Sequence, residues 1–335
     1  MPNRNYFASA NGTEGFTNYF SEVFGGCRRL YVILGGPGTG KSRFLKEVAA
    51  RGGEVERYYC SSDPESLDGV LIDGWLGLID GTAPHTWTSQ CIGAFEQTVN
   101  LGEFWNPRQL AACRREIEAL SGDKQAAYRE AYAFLSAIGE AERGIERRLC
   151  EALDYAMLRR AAARLLRGVE GTAKGTRRIG LCSALGMKGA AHFDTYEQVR
   201  YTVSVSDSMG TAWLLLGELD RLCLERGIST RVAPSPLFPK RLEAIELEGA
   251  ELSFFAGEGE DAITPKKFFT PEKWRALRTE LRGTREVQAR LKDYALEALS
   301  RAAAAHFALE EIYSSAMDFA AKEQFTEDFC KKIFQ

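Results

Sequence analysis

Apolar and polar positions follow two different rhythms along this chain. Residues 31–34 (Tyr-Val-Ile-Leu) form a short apolar run that stops at Gly35-Gly36-Pro37-Gly38, the pattern of a buried strand running into a loop. From Lys41 to Arg51 the apolar residues Phe44, Leu45, Val48 and Ala49 fall on one helical face, and Gly52-Gly53 closes the helix. Residues 55–59 and 76–80 read as a second and a third strand. Strand, helix, strand in this order predicts an α/β fold with a parallel sheet and helices on both faces. Beyond Pro107 the rhythm changes. Tyr128, Ala131, Leu135, Ile138, Ile145, Leu149, Ala152 and Ala156 recur at three-four spacing, which predicts a helical arm of two or three helices up to about Val169. Glu142 interrupts that stripe, and Gly139 and Gly144 are the expected places for a bend.

The same order of elements then recurs. The segment "FASANGTEG" at 7–15 is echoed by "LCSALGMKG" at 181–189, and "PGTGKS" at 37–42 by "MGTAWL" at 209–214. Further on, "RGGEVERYY" is echoed by "RGISTRVAP", and "NPRQLAACRREIEAL" by "TPEKWRALRTELRGT". Each match is weak alone, but their shared order predicts a tandem duplication of an α/β core followed by a helical arm. The expected units are a core over 1–106, an arm over 107–169, a linker over 170–176, a second core over 177–269 and a second arm over 270–335.

Composition narrows the function classes. A length of 335 residues with 45% hydrophobic content suits roughly two globular domains. The net charge of −3 supplies no general attraction to nucleic acid. The basic group Arg159, Arg160, Arg164, Arg167, Lys174, Arg177 and Arg178 reads as a solvated helix face and linker. Eight cysteines without a Cys-x-x-Cys pair suit free thiols in a reducing compartment. With no apolar leader and no run of about 18 apolar residues, a cytoplasmic protein without a membrane span is expected.

The chemistry concentrates in 35–42. Gly35, Gly36, Pro37, Gly38, Thr39, Gly40, Lys41 and Ser42 fit the phosphate-loop pattern G-x-x-x-x-G-K-[ST], placed after a strand and before a helix as that motif requires. Glycines let backbone N–H groups close around phosphate oxygens, and the helix start adds partial positive charge. Lys41 is expected on the outer phosphates, and Ser42 with Asp80 on Mg²⁺. Asp63 and His85, each just past a strand, are the first candidates to orient the attacking water or an acceptor hydroxyl. Glu65, Asp68 and Thr82 lie nearby. No guanine-reading motif is present, so ATP is the expected nucleotide.

In these segments ("FASANGTEGF", "GGPGTGKS", "YYCSSDPESLDGV", "LIDGTAPH", "NLGEFW") the sequence resembles an uncharacterised bacterial family of tandem P-loop ATPase-like proteins. The resemblance implies a P-loop nucleoside-triphosphatase with two related halves; it implies no particular substrate. This chain departs from that family in its second half. Aligning Gly210-Thr211 with Gly38-Thr39 puts Asp207 at Gly35, Ala212 at Gly40, Trp213 at Lys41 and Leu214 at Ser42, with Phe255 at Asp80. A second copy without the cation or the metal ligands is expected not to bind phosphate, its pocket filled by apolar side chains. Mg²⁺-dependent ATP hydrolysis is the leading reading; a small-molecule kinase and a non-hydrolysing nucleotide switch are the alternatives. The arms are expected to carry partner or self-association surfaces rather than chemistry.

Overall fold

The computed structural model describes residues 4–85, 87, 88, 91, 93–172 and 174–334. The first half contains β1 (Arg4–Phe7), β2 (Ser9–Gly12), β3 (Gly15–Asn18), α1 (Phe20–Phe24), β4 (Arg29–Leu34), α2 (Lys41–Ala49), β5 (Val55–Tyr59), β6 (Leu67–Ile72), β7 (Leu76–Asp80) and β8 (Glu96–Asn100). The helices α3 (Pro107–Ala112), α4 (Arg114–Ala152) and α5 (Tyr155–Leu165) follow. The second half contains β9 (Arg177–Ile179), β10 (Ser183–Gly186), β11 (Gly189–His192), β12 (Tyr201–Val205), α6 (Ala212–Glu225), β13 (Thr230–Pro234), β14 (Leu242–Leu247) and β15 (Leu252–Ala256), then α7 (Pro271–Ser315) and α8 (Phe319–Phe334).

The protein is α/β, but its sheets are mixed rather than parallel. The first has the order β1-β5-β6-β7-β4-β8, with β6 antiparallel to both neighbours. The reversal comes from Asp73-Gly74, both at positive φ (49° and 69°), an Asp-Gly hairpin turn of the kind that matches strand twist. The second sheet has the order β12-β15-β14-β13-β9. Strand for strand it repeats the first without β8, including the antiparallel β14 and a register shift at Ala233/Pro234 where the first sheet has one at Tyr58/Tyr59.

Period-two alternation in β4 covers both faces of the first sheet. Tyr31 and Ile33 face a core with Phe44, Leu45 and Val48 of α2, and Leu30 and Val32 face one with Phe20 and Phe24 of α1. The latter core also takes in Tyr196, Ala233 and Ala244, so the halves share buried surface. They meet around an antiparallel bridge between Phe7 and Leu181. Reciprocal ion pairs flank it: Arg231, 2% exposed, lies 2.5 Å from Glu56, and Arg4 lies 2.5 Å from Glu246.

The arms are woven between the halves. The helix does not break at Gly139 or Gly144: α4 runs unbroken for 39 residues and packs along α7, of 45 residues. Ile145 and Leu149 of α4, and Leu158 and Ala162 of α5, enter the core of the second half. In return, Phe329 and Cys330 of α8 enter the core under α2. Phe329 lies against the rings of Phe44 (5.1 Å between centroids) and Tyr31 (4.9 Å). Phe329→Ala is therefore expected to cost about 3 kcal/mol. Thermal unfolding of the variant checks this, and an unchanged midpoint would mean that α8 is not part of this core. Of the basic residues near the linker, Arg177 pairs with Asp220, Arg178 with Glu56 and Glu248, and Arg159 with Glu225. Among the described residues, no helix is long and apolar enough to cross a membrane.

Candidate functional site

The loop between β4 and α2 sits at the carboxyl end of the first sheet. Gly38 and Gly40 adopt φ of 70° and 75°, the left-handed region that favours glycine, and Gly40 is the residue that caps α2. A side chain at Gly38 would also collide with the Glu310 carbonyl oxygen, 2.4 Å from an added Cβ. Lys41 opens the helix, so its own N–H and those of Ser42 and Arg43 precede the first intrahelical bond, made by Phe44 N–H to the Gly40 carbonyl. The loop is braced from within: Thr39 Oγ1 donates to the Gly36 carbonyl at 2.9 Å, and Thr82 Oγ1 donates to the Gly35 carbonyl at 2.7 Å.

Lys41 Nζ donates to the carbonyls of Gly35 (2.7 Å) and Gly36 (2.9 Å) and lies 3.6 Å from Asp80 Oδ2. That pairing follows from the sheet, since β4 and β7 are parallel neighbours with Ile33 opposite Asp80. Asp80 Oδ1 accepts from Thr82 N–H at 2.8 Å, which fixes the carboxylate. Ser42 Oγ accepts from Leu67 N–H at 2.9 Å and keeps its own proton and a lone pair. Hydroxyl and carboxylate oxygens are the hard donors that Mg²⁺ prefers, so these side chains fit that ion.

The other two candidates diverge. Asp63 lines the same cavity but is held by Lys188 Nζ at 2.8 Å and by Ser66 Oγ at 3.0 Å. Despite half-burial, which opposes it, these partners hold its carboxyl below the usual range. Lys188 comes from the β10–β11 turn of the second half, so Asp63 is tied into the contact between halves. His85, by contrast, is buried and packed between Phe16 (edge-on, 5.2 Å) and Phe20 (stacked, 5.6 Å). Its Nε2 lies 3.1 Å from Asp68 Oδ2. Burial pushes the Asp68 carboxyl up to about 6, opposed by His85 and reinforced by Asp80.

Loop, strand ends and arms together enclose a cavity of about 1020 Å³. Its far wall was not read from sequence: Lys124, Tyr128 and Tyr132 of α4 and His306 and Glu310 of α7. Burial lowers the Lys124 ammonium from its ordinary value. The four-residue spacing of Lys124, Tyr128 and Tyr132 on the apolar stripe was the one available signal, because a lysine on that stripe has to be aimed at something.

The corresponding loop of the second half is built differently. Asp207 Oδ1 accepts from Ala212 N–H at 2.8 Å, so the start of α6 already carries a carboxylate where an anion would sit. Arg285 of α7 donates to the carbonyls of Met209 (3.1 Å) and Gly210 (3.2 Å) and pairs with the buried Glu142. Arg241 also pairs with Glu142, at 2.5 Å, and lies 4.3 Å over the Trp213 ring. The filling is thus ionic rather than apolar. The position opposite Val205, which matches Asp80 opposite Ile33, is Ala256, one residue beyond Phe255; neither has a carboxylate.

Compared with protein families, with curated proteins and with solved structures, the chain matches none of them.

Proposed function

We propose that the chain is a P-loop nucleoside-triphosphatase, the class its resemblance to tandem P-loop ATPase-like proteins implies, and that it binds ATP and Mg²⁺ at Gly35–Ser42 and hydrolyses ATP. We also propose that its halves arose by duplication and that only the first retains a nucleotide site. The observation that carries the reading is the Lys41–Asp80 pair at adjoining carboxyl ends of parallel strands, with Lys41 the first residue of a helix. In this reading the loop N–H groups and Lys41 hold the phosphate chain, and Ser42 and Asp80 hold the metal. Mg²⁺, when bound, offsets charge that builds on the transferring phosphoryl group. In this reading α4 and α7 wall the reacting end of the cavity. ATP enters as substrate in a cytoplasmic setting, without nucleic acid or membrane.

A phosphotransferase is the second reading, and cavity size favours it. About 1020 Å³ is at the upper end of the roughly 300–1,000 Å³ that single small ligands occupy, which leaves room for an acceptor beside the triphosphate. Phosphate release from ATP alone supports hydrolysis; ATP consumption only with an added hydroxyl-bearing metabolite supports transfer. Tight binding without either would leave the nucleotide-switch alternative. Asp80→Ala is expected to lower Mg²⁺-dependent turnover about a hundredfold or more while Mg²⁺-free nucleotide binding changes only a few-fold. Equal turnover in variant and parent would remove Asp80 from the metal site.

A further inference from the structure

Beside the loop, the same cavity holds a second group of donors that the nucleotide reading does not use. Cys60 leaves β5, Asp68 is the second residue of β6, and His85 follows β7. Their Sγ, carboxylate and imidazole ligand atoms all lie within 4.8 Å of one another, and all three residues line the cavity. Asp68 is 4% exposed and His85 7%. Asp68 Oδ2 and His85 Nε2 approach to 3.1 Å as an ion-pair contact. Among the described residues, Asp68 Oδ2 and His85 Nδ1 are buried polar atoms without a hydrogen-bond partner. An orphaned buried carboxylate oxygen costs about 1–3 kcal/mol or more, so its retention needs a cause.

The second half provides an internal comparison. Glu243 follows the β14 register shift as Asp68 follows that of β6, and Ser235 stands at the place of Cys60. There the carboxylate is satisfied by protein groups: Ser183 Oγ donates to it and Cys182 Sγ lies 3.7 Å away. In the first half the matching serine, Ser9, pairs instead with Ser61 at 3.1 Å. The half with the lysine-bearing loop thus combines thiol, carboxylate and imidazole, and its carboxylate lacks the hydroxyl partner that its counterpart has.

We propose that Cys60, Asp68 and His85 bind one divalent transition-metal ion of the zinc type, with a fourth coordination position open to the cavity. Thiolate, imidazole and carboxylate on one ion suit zinc and its neighbours and not Mg²⁺. Three protein ligands with one open position is the arrangement of zinc sites that take a substrate oxygen or water. Bond lengths of about 2.0–2.3 Å place tetrahedral donors roughly 3.3–3.8 Å apart, so movements of about one ångström close the site. The Phe16 and Phe20 rings hold the imidazole plane in place of the hydrogen bond that usually orients a ligating histidine. The open position would take a phosphate, carboxylate or carbonyl oxygen of whatever occupies the cavity.

The test is a Co²⁺ titration of the chelator-stripped full-length protein, followed by Zn²⁺ displacement. One equivalent should give tetrahedral d–d bands and a thiolate-to-cobalt charge-transfer band. Cys60→Ser should abolish the charge-transfer band, and His85→Gln should weaken binding about a hundredfold. Lys41→Ala and Ser42→Ala should leave the spectrum unchanged, which separates this site from the nucleotide site. Absence of the charge-transfer band, its persistence in Cys60→Ser, or its loss in Lys41→Ala would overturn the proposal. If the ligand variants do not fold, X-ray absorption of the zinc-loaded parent decides: one sulfur with at least one imidazole supports the site, and any other sulfur count or an absence of imidazole refutes it.

Discussion

Lys41→Ala is expected to weaken ATP binding by about thirtyfold to several thousandfold, and turnover with it. Truncating one member of a desolvated charge pair costs about 2–5 kcal/mol, and every 1.4 kcal/mol is tenfold in affinity. Lys41 is mostly buried and now satisfies two loop carbonyls beside Asp80, so the variant leaves that carboxylate 2.8 Å from a backbone N–H with no cation opposite it. A triphosphate entering the variant would add negative charge next to an uncompensated Asp80. The fold should survive, because Lys41 lies at the surface of the cavity and not in the apolar core under α2. Calorimetry of the parent protein should give one nucleotide per chain and of Lys41→Ala none at comparable concentration. The second loop has its helix N-terminus engaged by Asp207 and its Gly210 covered by Arg285. Two nucleotides per chain, one persisting in Lys41→Ala, would mean that the second loop binds phosphate and that the ionic filling is displaceable.

The parts of this architecture that depend on near neighbours in sequence were legible. The apolar face of Lys41–Ala49 is buried as its periodicity requires, and β4, β5 and β7 follow their apolar runs. Asp80 falls opposite Ile33 because the β6–β7 hairpin turns the chain back so that β7 runs parallel to β4. The antiparallel β6 was missed although its signal was present: Leu67–Ile72 is buried throughout and ends at Asp73-Gly74. The arms were illegible for a different reason. A heptad-like stripe states that a helix has an apolar side; it does not state whose core that side enters. Hence neither α5 packing against α6 nor α8 against α2 follows from periodicity, and the cavity wall of α4 and α7 was read only as partner surface. Asp63 illustrates the limit at the site itself, since its partner Lys188 lies in the other half.

Glu142 is the sharpest case, and its replacement carries the second large expected effect. On the helical stripe it looks like an interruption, but it is 2% exposed and is the shared anion for Arg241 and Arg285, with Gln288 donating to it at 2.8 Å. Its partners stand 99 and 143 residues further along the chain. Glu142→Ala leaves two guanidinium groups without their shared counter-ion, and breaking a buried pair in this way costs about 3–5 kcal/mol. Burial alone would raise the Glu142 carboxyl, but the Arg285 hydrogen bond and the charges of Arg241 and Arg285 outweigh it and hold it at about 2, against an ordinary 4.5. A carboxyl depressed in the folded state stabilises fully above its unfolded pKa, and that contribution fades as pH falls from about 4.5 to about 2. A shift of this size is worth about 3 kcal/mol. Denaturant unfolding across that window should therefore show a steep acid loss in the parent and a flatter one in Glu142→Gln. Adding Arg285→Met to Glu142→Leu should recover part of the stability lost in Glu142→Leu alone, because most of the cost lies in the stranded cations and not in the missing attraction. Equal acid slopes in parent and Glu142→Gln, with no recovery in the double variant, would mean that the cluster is solvated and that the second loop is closed by something other than these charges.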